Sequence, residues 1–311
     1  MPQSALISRV TPTPVKRSGS DNLSMRPWLL NALLLTVGLL SPACSTMTPH
    51  KAQLAWHARR LEALQAPDGW LTLVGLDFLP EGTSTIGHCG SATFSYPNCL
   101  EPIVGTFVVS GSAVRYTPSG AEEAAPLTAD DEGKPSVIRS GPVSFTLVRR
   151  NGRLALRVRD NDSPTRTDFP GIDLFPYDPS FVVEATVLPA ASDEKVAITN
   201  VTGFVEEQPV AARLRFTLLG QPQQFVATAG QGGRLFIVFG DATNGLQTYG
   251  GGRFMDVAAP ADGRVSLDFN RAFNPPCSFT SFATCPLPPE GNRLGGDVTA
   301  GERAPRAGKS P

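Results

Sequence analysis

The chain has 311 residues, of which 41% are hydrophobic and 18% are charged, enough to bury one large core or two smaller ones. Its 27 basic and 28 acidic residues give a net charge of −1, so no broad positive surface directs it to nucleic acid or acidic lipid. The 30 glycines and 29 prolines favour many short strands and turns over long helices.

The N-terminal region has the pattern of an export signal. An apolar run, Trp28–Leu40, follows Arg26 and is too short for a membrane-spanning helix, which takes about 20 residues. It matches the hydrophobic region of a signal peptide that covers residues 25–43. We therefore expect translation to start at Met25, with residues 1–24 as an upstream extension.

The end of this signal indicates lipid attachment. Ala43-Cys44 resembles a bacterial lipobox, in which the cysteine is acylated and becomes the new N-terminus. Ser41 departs from the aliphatic residue that is usual there, so ordinary cleavage after Ala43 is the alternative. Both alternatives predict export to the cell envelope, and the first anchors the protein to a membrane through Cys44.

One helix is expected at the start of the mature chain. Thr48 can cap it and Pro49 suits its first turn, so the prediction covers Thr48 to Gln65. His57 lies beside the apolar face, which we interpret as a packed rather than a catalytic position. The residues of that apolar face are Leu54, Ala58, Leu61 and Leu64.

The clearest strand signal is a hairpin. Phe145–Arg150 and Arg153–Arg159 alternate apolar and polar side chains on either side of Asn151-Gly152, the strongest short signal for a two-residue hairpin turn. We interpret the polar side as a solvated sheet face, with a ligand-binding face as the alternative. Its arginines are Arg149, Arg153, Arg157 and Arg159.

Short strands fill most of the remaining chain and favour an all-β fold. A stretch rich in Pro, Asp and Thr, residues 160–179, separates two groups of strands. The sequence predicts a mostly antiparallel all-β fold with one N-terminal amphipathic helix and two packed β units. An anchor and helix (44–67) precede the units, which cover residues 68–160 and 161–303, and a disordered tail (304–311) follows them.

Four cysteines remain after Cys44, an even number in an oxidising compartment. Their proximity along the chain favours the pairs Cys89–Cys99 and Cys277–Cys285. A zinc site is the weaker alternative, because the sequence has no C-x-x-C and three histidines only.

The segment Asp241–Arg293 is the richest in functional groups. Gly250–Gly252 can expose N–H groups to an anion, and Arg253, Arg271 and Arg293 supply fork-shaped donors for carboxylate or phosphate. Because consecutive strands are usually neighbours, we expect the polar groups of the segment to surround one cleft. The side chains expected there are Asp241, Arg253, Asn270, Arg271, Cys277 and Arg293.

Two other interpretations of this segment stay open. Cys277 could be a nucleophile with His57 or His88 as base and Asp268 as its orienting group, although neither histidine lies in the segment. Asp241 and Asp268 could instead act as a carboxylate pair. A structural role is the third possibility, because polar side chains also pin loops that have no regular structure.

The same segment resembles a family. Three stretches are similar to the bacterial and archaeal domain of unknown function 1684. They are Gly240-Asp241-Ala242-Thr243-Asn244-Gly245, Tyr249-Gly250-Gly251-Gly252-Arg253-Phe254 and Asn270-Arg271-Ala272-Phe273-Asn274-Pro275-Pro276-Cys277. The resemblance also takes in Asp68–Leu76 and spans roughly residues 54–303. It implies a fold but no reaction. It further implies that a Cys89–Cys99 disulfide is specific to this member, and it leaves Cys277 and Cys285 open between a disulfide and free thiols.

Taken together, the sequence predicts a protein that binds a small anionic ligand in a C-terminal cleft. A hydrolase that uses the same segment and a structural envelope protein are the alternatives. No cofactor or metal motif is present. The residues expected to contact the ligand are Asp241, Thr248, Tyr249, Arg253, Asn270, Arg271, Asn274 and Arg293.

Overall fold

The structure, a computed structural model, is described for residues 47–306. The predicted signal peptide and Cys44 lie outside this range. Within it, the helices are α1 (Pro49–Gln65) and a single turn, α2 (Pro164–Thr167). The strands are β1 (Leu73–Phe78), β2 (Gly82–Gly87), β3 (Phe94–Ser95), β4 (Gly105–Ser110), β5 (Ala113–Pro118), β6 (Ala125–Leu127), β7 (Val137–Ser140), β8 (Val143–Arg150), β9 (Arg153–Asp160), β10 (Val182–Leu188), β11 (Lys195–Thr199), β12 (Val205–Pro209), β13 (Ala212–Leu218), β14 (Gln221–Ala229), β15 (Leu235–Phe239), β16 (Arg253–Val257) and β17 (Arg264–Asp268).

These strands form four sheets that are antiparallel except for the short β2–β3 pair. The orders are β1-β9-β8-β7, β3-β2-β4-β5-β6, β16-β15-β14-β13-β10-β17 and the ribbon β11-β12. The predicted mostly antiparallel all-β fold with an N-terminal helix is confirmed. Five strands were not expected from the sequence, because they are short or carry no regular apolar alternation: β2, β3, β6, β7 and β12.

The predicted hairpin is present with its expected turn. Asn151 and Gly152 have φ values of 51° and 72°, the left-handed conformation that a type I′ turn requires at both positions. β8 and β9 then pair in register from Arg150 opposite Arg153 to Val143 opposite Asp160. The apolar residues of both arms enter a core that the five-stranded sheet closes from the other side.

Two large hydrophobic cores support the fold. One lies between the four-stranded and five-stranded sheets, and the other lies against the six-stranded sheet. A smaller cluster joins β1 to β15 and β16 through Leu73, Val238 and Phe254, with Cys285 and Trp70 packed beside them. The described residues thus belong to one compact unit.

Helix α1 begins as predicted, since the Thr48 side chain accepts a hydrogen bond from the Lys51 N–H at 3.3 Å. Its buried face agrees only in part with the predicted apolar face. Leu54 and Ala58 are exposed, whereas Gln53 is buried. The second half of the helix packs as predicted, with Leu64 and Leu61 against Leu71 and Ile172, whereas Gln53 and Arg60 contact backbone carbonyls of loops. No helix among residues 47–306 has the length and apolar character needed to cross a membrane.

The cysteines of the described residues are free thiols, so the predicted disulfides are not formed. The Cys89 sulfur lies 2.9 Å from the Ser91 hydroxyl in an exposed turn, while Cys99 is buried in the N-terminal core. These two cysteines are therefore not bonded to each other. Cys277 and Cys285 are neighbours, with the Cys277 nitrogen 3.1 Å from the Cys285 sulfur, but they remain thiols.

Candidate functional site

Asp241 and Arg253 form a buried ion pair, and neither side chain is exposed to solvent. They occupy the end of β15 and the start of β16, which pair with Phe239 opposite Arg253, as the sequence predicted for neighbouring strands. The Arg253 Nη2 lies 2.7 Å from the Asp241 carboxylate and 2.9 Å from the Val298 carbonyl, and Nη1 donates to the Ala300 carbonyl. Burial lowers the pKa of Arg253, and the Asp241 carboxylate opposes that effect.

The other carboxylate oxygen of Asp241 is also fully used. It accepts hydrogen bonds from the Thr243 N–H at 2.9 Å, from the Thr243 hydroxyl at 2.6 Å and from the Val298 N–H at 3.3 Å. The pair therefore ties two strand ends to residues 298–300. A ligand could reach neither side chain without displacing this segment.

The Asn292 side chain bridges β14 and β15 where their backbone hydrogen bonds stop. β14 and β15 pair only at Thr228 opposite Phe236 and Ala229 opposite Leu235. At the next aligned positions the Asn292 side chain stands between the strands. Its oxygen accepts from the Val226 N–H at 2.7 Å, and its nitrogen donates to the Val226 and Val238 carbonyls at 2.8 Å each.

Asn270 and Asn274 dock helix α1. Gln53 donates to the Asn270 carbonyl at 2.9 Å, and Arg60 donates to the Asn274 carbonyl at 2.7 Å. Arg60 also lies 3.1 Å from Glu302, a fully buried carboxylate that accepts the Asn274 N–H at 2.7 Å. Both asparagines are buried. Their hydrogen bonds are with the protein's own backbone and side chains, and the buried Asn274 Oδ1 has no partner among the described residues.

The remaining predicted ligand contacts are distributed over separate partners. Thr248 is buried beside Thr243 at 2.8 Å, and Tyr249 donates to the Cys277 carbonyl at 3.3 Å. The Arg271 Nε lies 3.2 Å from the Asp268 carboxylate, and Arg293 reaches the Pro288 carbonyl at 3.5 Å. The three arginines of the segment thus have three different partners.

The catalytic interpretations also lack an assembled site. His57 lies on α1 near Glu302, where burial lowers its pKa, and the His88 backbone pairs with Glu101. In the part of the chain that the structure describes, no hydrogen bond joins either imidazole to Cys277. Asp268 accepts hydrogen bonds from Asn270, while Asp241 is held by Arg253.

One surface pocket, of about 500 Å³, lies in the C-terminal half. Asp178 and Arg303 line it together with Phe175 and Gln247. The Arg303 guanidinium lies 4.3 Å from the Phe175 ring centroid. Because one acidic and one basic side chain face this space, it has no net charge that would select an anion.

A second pocket, of about 340 Å³, lies on the face of β7, β8 and β9 that points away from the N-terminal core. Directly opposed residues on neighbouring strands share a face, so each row contributes to the pocket floor. The two rows are Arg139–Ser144–Arg159 and Val137–Thr146–Arg157. We call this space the arginine pocket.

Two arginines of the arginine pocket have no anionic partner. Arg139 pairs with Asp68 at 2.8 Å, and Asp130 is held at 2.6 Å by Arg150. The side chains of Arg157 and Arg159 have neither a salt bridge nor a hydrogen bond to any residue between 47 and 306. Their Nε atoms are buried without a partner.

The surroundings of these two arginines hold them in place without an ion pair. Their guanidinium carbons lie 5.6 and 5.9 Å from the ring centroid of Trp70, within the range of a cation–π contact. Burial lowers the pKa of Arg157 to about 10, and repulsion from Arg150 and Arg159 acts in the same direction. Burial also lowers the pKa of Arg159. Asp130 opposes this lowering of the pKa at Arg157, and Asp68 opposes it at Arg159, but burial outweighs both carboxylates.

From the sequence, this face was expected to be solvated and the C-terminal segment was expected to hold the site. The alternation of the hairpin was correct, but Arg157 and Arg159 are largely covered rather than solvated. The sequence did contain a signal for this site. Two arginines lie two positions apart on β9, and they face the hydroxyl residues Ser144 and Thr146 of the paired strand β8. The burial of these arginines depends on segments distant in the sequence, such as Trp70.

Fold and site define an all-β protein with a C-terminal half fastened by buried polar side chains and a charged pocket on its N-terminal sheet. The family model described as "Protein of unknown function (DUF1684)" matches residues 167–303, and the chain belongs to this family. The match begins later than the predicted resemblance, so the arginine pocket lies outside it.

Among solved structures, the chain is similar to the solution NMR structure of an uncharacterized protein from Haloarcula marismortui. The two are 37% identical over 44% of this chain and 78% of that chain, with a TM-score of 0.38. No curated protein matches the chain.

Proposed function

We propose that this protein binds a small ligand with two negative charges in the arginine pocket. The observation that carries the proposal is the pair Arg157 and Arg159, whose buried Nε atoms have no partner among the described residues. Burying an unpaired charge costs free energy, and an unsatisfied buried donor adds to that cost. A bound anion would remove both penalties.

The charge of the pocket indicates a dianion. Asp68 is compensated by Arg139, and the hydrogen bond from Arg139 holds the pKa of Asp68 below its ordinary value. Asp130 is compensated by Arg150. Two positive charges are then left, which a phosphate group or a small dicarboxylate would match. The pocket volume of about 340 Å³ suits a ligand of that size.

The contacts within the C-terminal segment support placing the ligand in the arginine pocket, because the polar side chains of that segment bind one another and the protein backbone. Arg253, the most buried of its arginines, uses both terminal nitrogens on Asp241 and on two backbone carbonyls, so its charge is compensated even though its Nε has no partner among the described residues. The asparagines of the segment hold loops, a strand gap and helix α1. These contacts favour a structural role for the family segment and leave ligand binding to the N-terminal sheet.

Inorganic phosphate is the first probe. We expect phosphate to raise the melting temperature relative to chloride at matched ionic strength, because a ligand that binds only the folded state stabilises it. Replacing both arginines, Arg157→Met with Arg159→Met, should weaken the affinity at least about tenfold, since hydrogen bonds to charged groups are lost. Calorimetric titration measures both effects. Binding should also weaken as the pH approaches 10, where Arg157 loses its proton.

The matched control is Arg264→Met, which removes an exposed arginine that pairs with Glu184 in the six-stranded sheet. This variant should bind phosphate as the unmodified protein does. Without phosphate, the double variant should be at least as stable as the unmodified protein, because it no longer holds two half-buried charges that lack an ion-pair partner. Failure of phosphate, sulfate and succinate alike to raise the melting temperature above chloride would contradict the proposal.

We also propose that the protein is exported and anchored by lipid on Cys44. The support is the apolar run Trp28–Leu40 followed by Ala43-Cys44. Cys44→Ala should move the protein from the membrane fraction to the soluble exported fraction, with Cys89→Ala as a control that stays with the membrane. Cell fractionation followed by immunoblotting measures this, and unchanged membrane association of Cys44→Ala would contradict lipid anchoring.

A further inference from the structure

Two cysteine thiols of the C-terminal segment contact each other, and the anion-binding proposal does not use them. The Cys277 N–H points at the Cys285 sulfur, with 3.1 Å between nitrogen and sulfur. Cys277 lies in a short 3₁₀ turn (Pro276–Ser278), and Cys285 lies in the loop that pairs with the β11–β12 ribbon through the Val201 N–H. Both belong to the cluster that packs against Leu73.

The two thiols are unequal in access. Cys277 is half-buried, whereas Cys285 is only 5% exposed. A hydrogen bond from Cys285 lowers the pKa of Cys277, and the Tyr249 hydroxyl acts in the same direction. The same contact, together with burial, raises the pKa of Cys285. An accessible sulfur that ionises readily beside a buried one that keeps its proton is the arrangement of an attacking and a resolving thiol.

We infer that Cys277 and Cys285 form a thiol–disulfide exchange site that reacts with disulfides of small thiols. The Cys277 thiolate attacks one sulfur of the disulfide, forms a mixed disulfide and expels the first small thiolate, which takes a proton from water. Cys285 then loses its proton to solvent and attacks the Cys277 sulfur, which expels the second small thiolate. Two protein thiols are oxidised by two electrons, and one disulfide is reduced to two thiols.

The structure offers an internal comparison in Cys89. Its sulfur is in an exposed turn beside Ser91, and the hydrogen bond from Ser91 lowers its pKa, but it is not bonded to Cys99. Cys89 should therefore attack a disulfide and stop at the mixed disulfide. Cys277 should pass through that state and release the small thiol.

The test is a time course of the full-length protein with oxidised glutathione, followed by alkylation and peptide mass spectrometry. We expect glutathione to accumulate on Cys89, while Cys277 and Cys285 become an internal disulfide that dithiothreitol reverses. In Cys285→Ser, glutathione should persist on Cys277 at least about ten times longer than in the unmodified protein, because the resolving sulfur is gone. Cys277→Ser should leave Cys285 unmodified.

The inference fails if Cys277 and Cys285 stay reduced while Cys89 is modified. It also fails if Cys277 keeps glutathione in the unmodified protein as long as Cys89 does. Both outcomes are measured on the unmodified chain, so they do not depend on the folding of a variant. Circular dichroism of Cys285→Ser shows whether its longer-lived adduct belongs to the folded protein.

Discussion

Replacing Asp241 with Asn should lower the free energy of unfolding by about 3–5 kcal/mol, the largest stability effect that we expect in this chain. The substitution leaves the Arg253 guanidinium charged in a site where neither side chain reaches solvent. It also weakens the hydrogen bonds that the Thr243 and Val298 N–H groups donate to the side chain at position 241. The bond from Val298 helps to hold residues 298–300 in place. Urea denaturation followed by circular dichroism measures the change.

The control for this prediction is Glu184→Gln, which breaks an arginine–carboxylate pair of the same type between exposed side chains. Water screens that pair, so its loss should change stability little. A comparable loss in both variants would show that burial is not the cause. A tolerated Asp241→Asn would mean that the buried pair contributes specificity rather than stability.

Asn292→Ala is expected to destabilise the protein by about 3 kcal/mol, because each buried backbone group left without a partner costs about 1–3 kcal/mol. The variant removes three hydrogen bonds at the point where β14 and β15 separate. Amide hydrogen exchange should report the loss locally, with faster exchange of the Val226 N–H than in the unmodified protein.

Asn98→Ala is the matched control, since the Asn98 side chain makes one exposed hydrogen bond, to Asp160 at 2.7 Å. Its loss should leave both the unfolding curve and the exchange of Val226 close to those of the unmodified protein. Asn292→Asp keeps the acceptor but loses the donor to two carbonyls, so it should also destabilise. Unchanged protection of Val226 in Asn292→Ala would contradict the bridging role.

Local sequence rules accounted for the elements that depend on neighbours along the chain. The turn at Asn151-Gly152 formed because both residues tolerate positive φ, and Thr48 capped α1 because its hydroxyl reaches the N–H three positions ahead. The expectation that consecutive strands are neighbours was also correct for β15 and β16, and their pairing placed Asp241 beside Arg253.

The contacting face of α1 could not be predicted in the same way. Amphipathic periodicity assumes that a helix meets an apolar surface along its whole length. Only the second half of α1 does so, through Leu64, while Gln53 and Arg60 meet loop carbonyls. The cysteine pairs show a related limit. Short separations suggested both pairs, yet Cys89 and Cys99 lie in an exposed turn and a buried core, while Cys277 and Cys285 do meet.

By itself, the sequence determined the all-β class, the N-terminal helix, the main hairpin and the membership of Asp241 and Arg253 in one neighbourhood. Tertiary structure alone decided which arginines are satisfied. The charges of Arg253 and Arg157 are identical in the sequence, but only Arg253 meets a carboxylate when the chain folds. Whether a buried charge is compensated depends on partners from distant segments, and no local pattern specifies their distance or their burial.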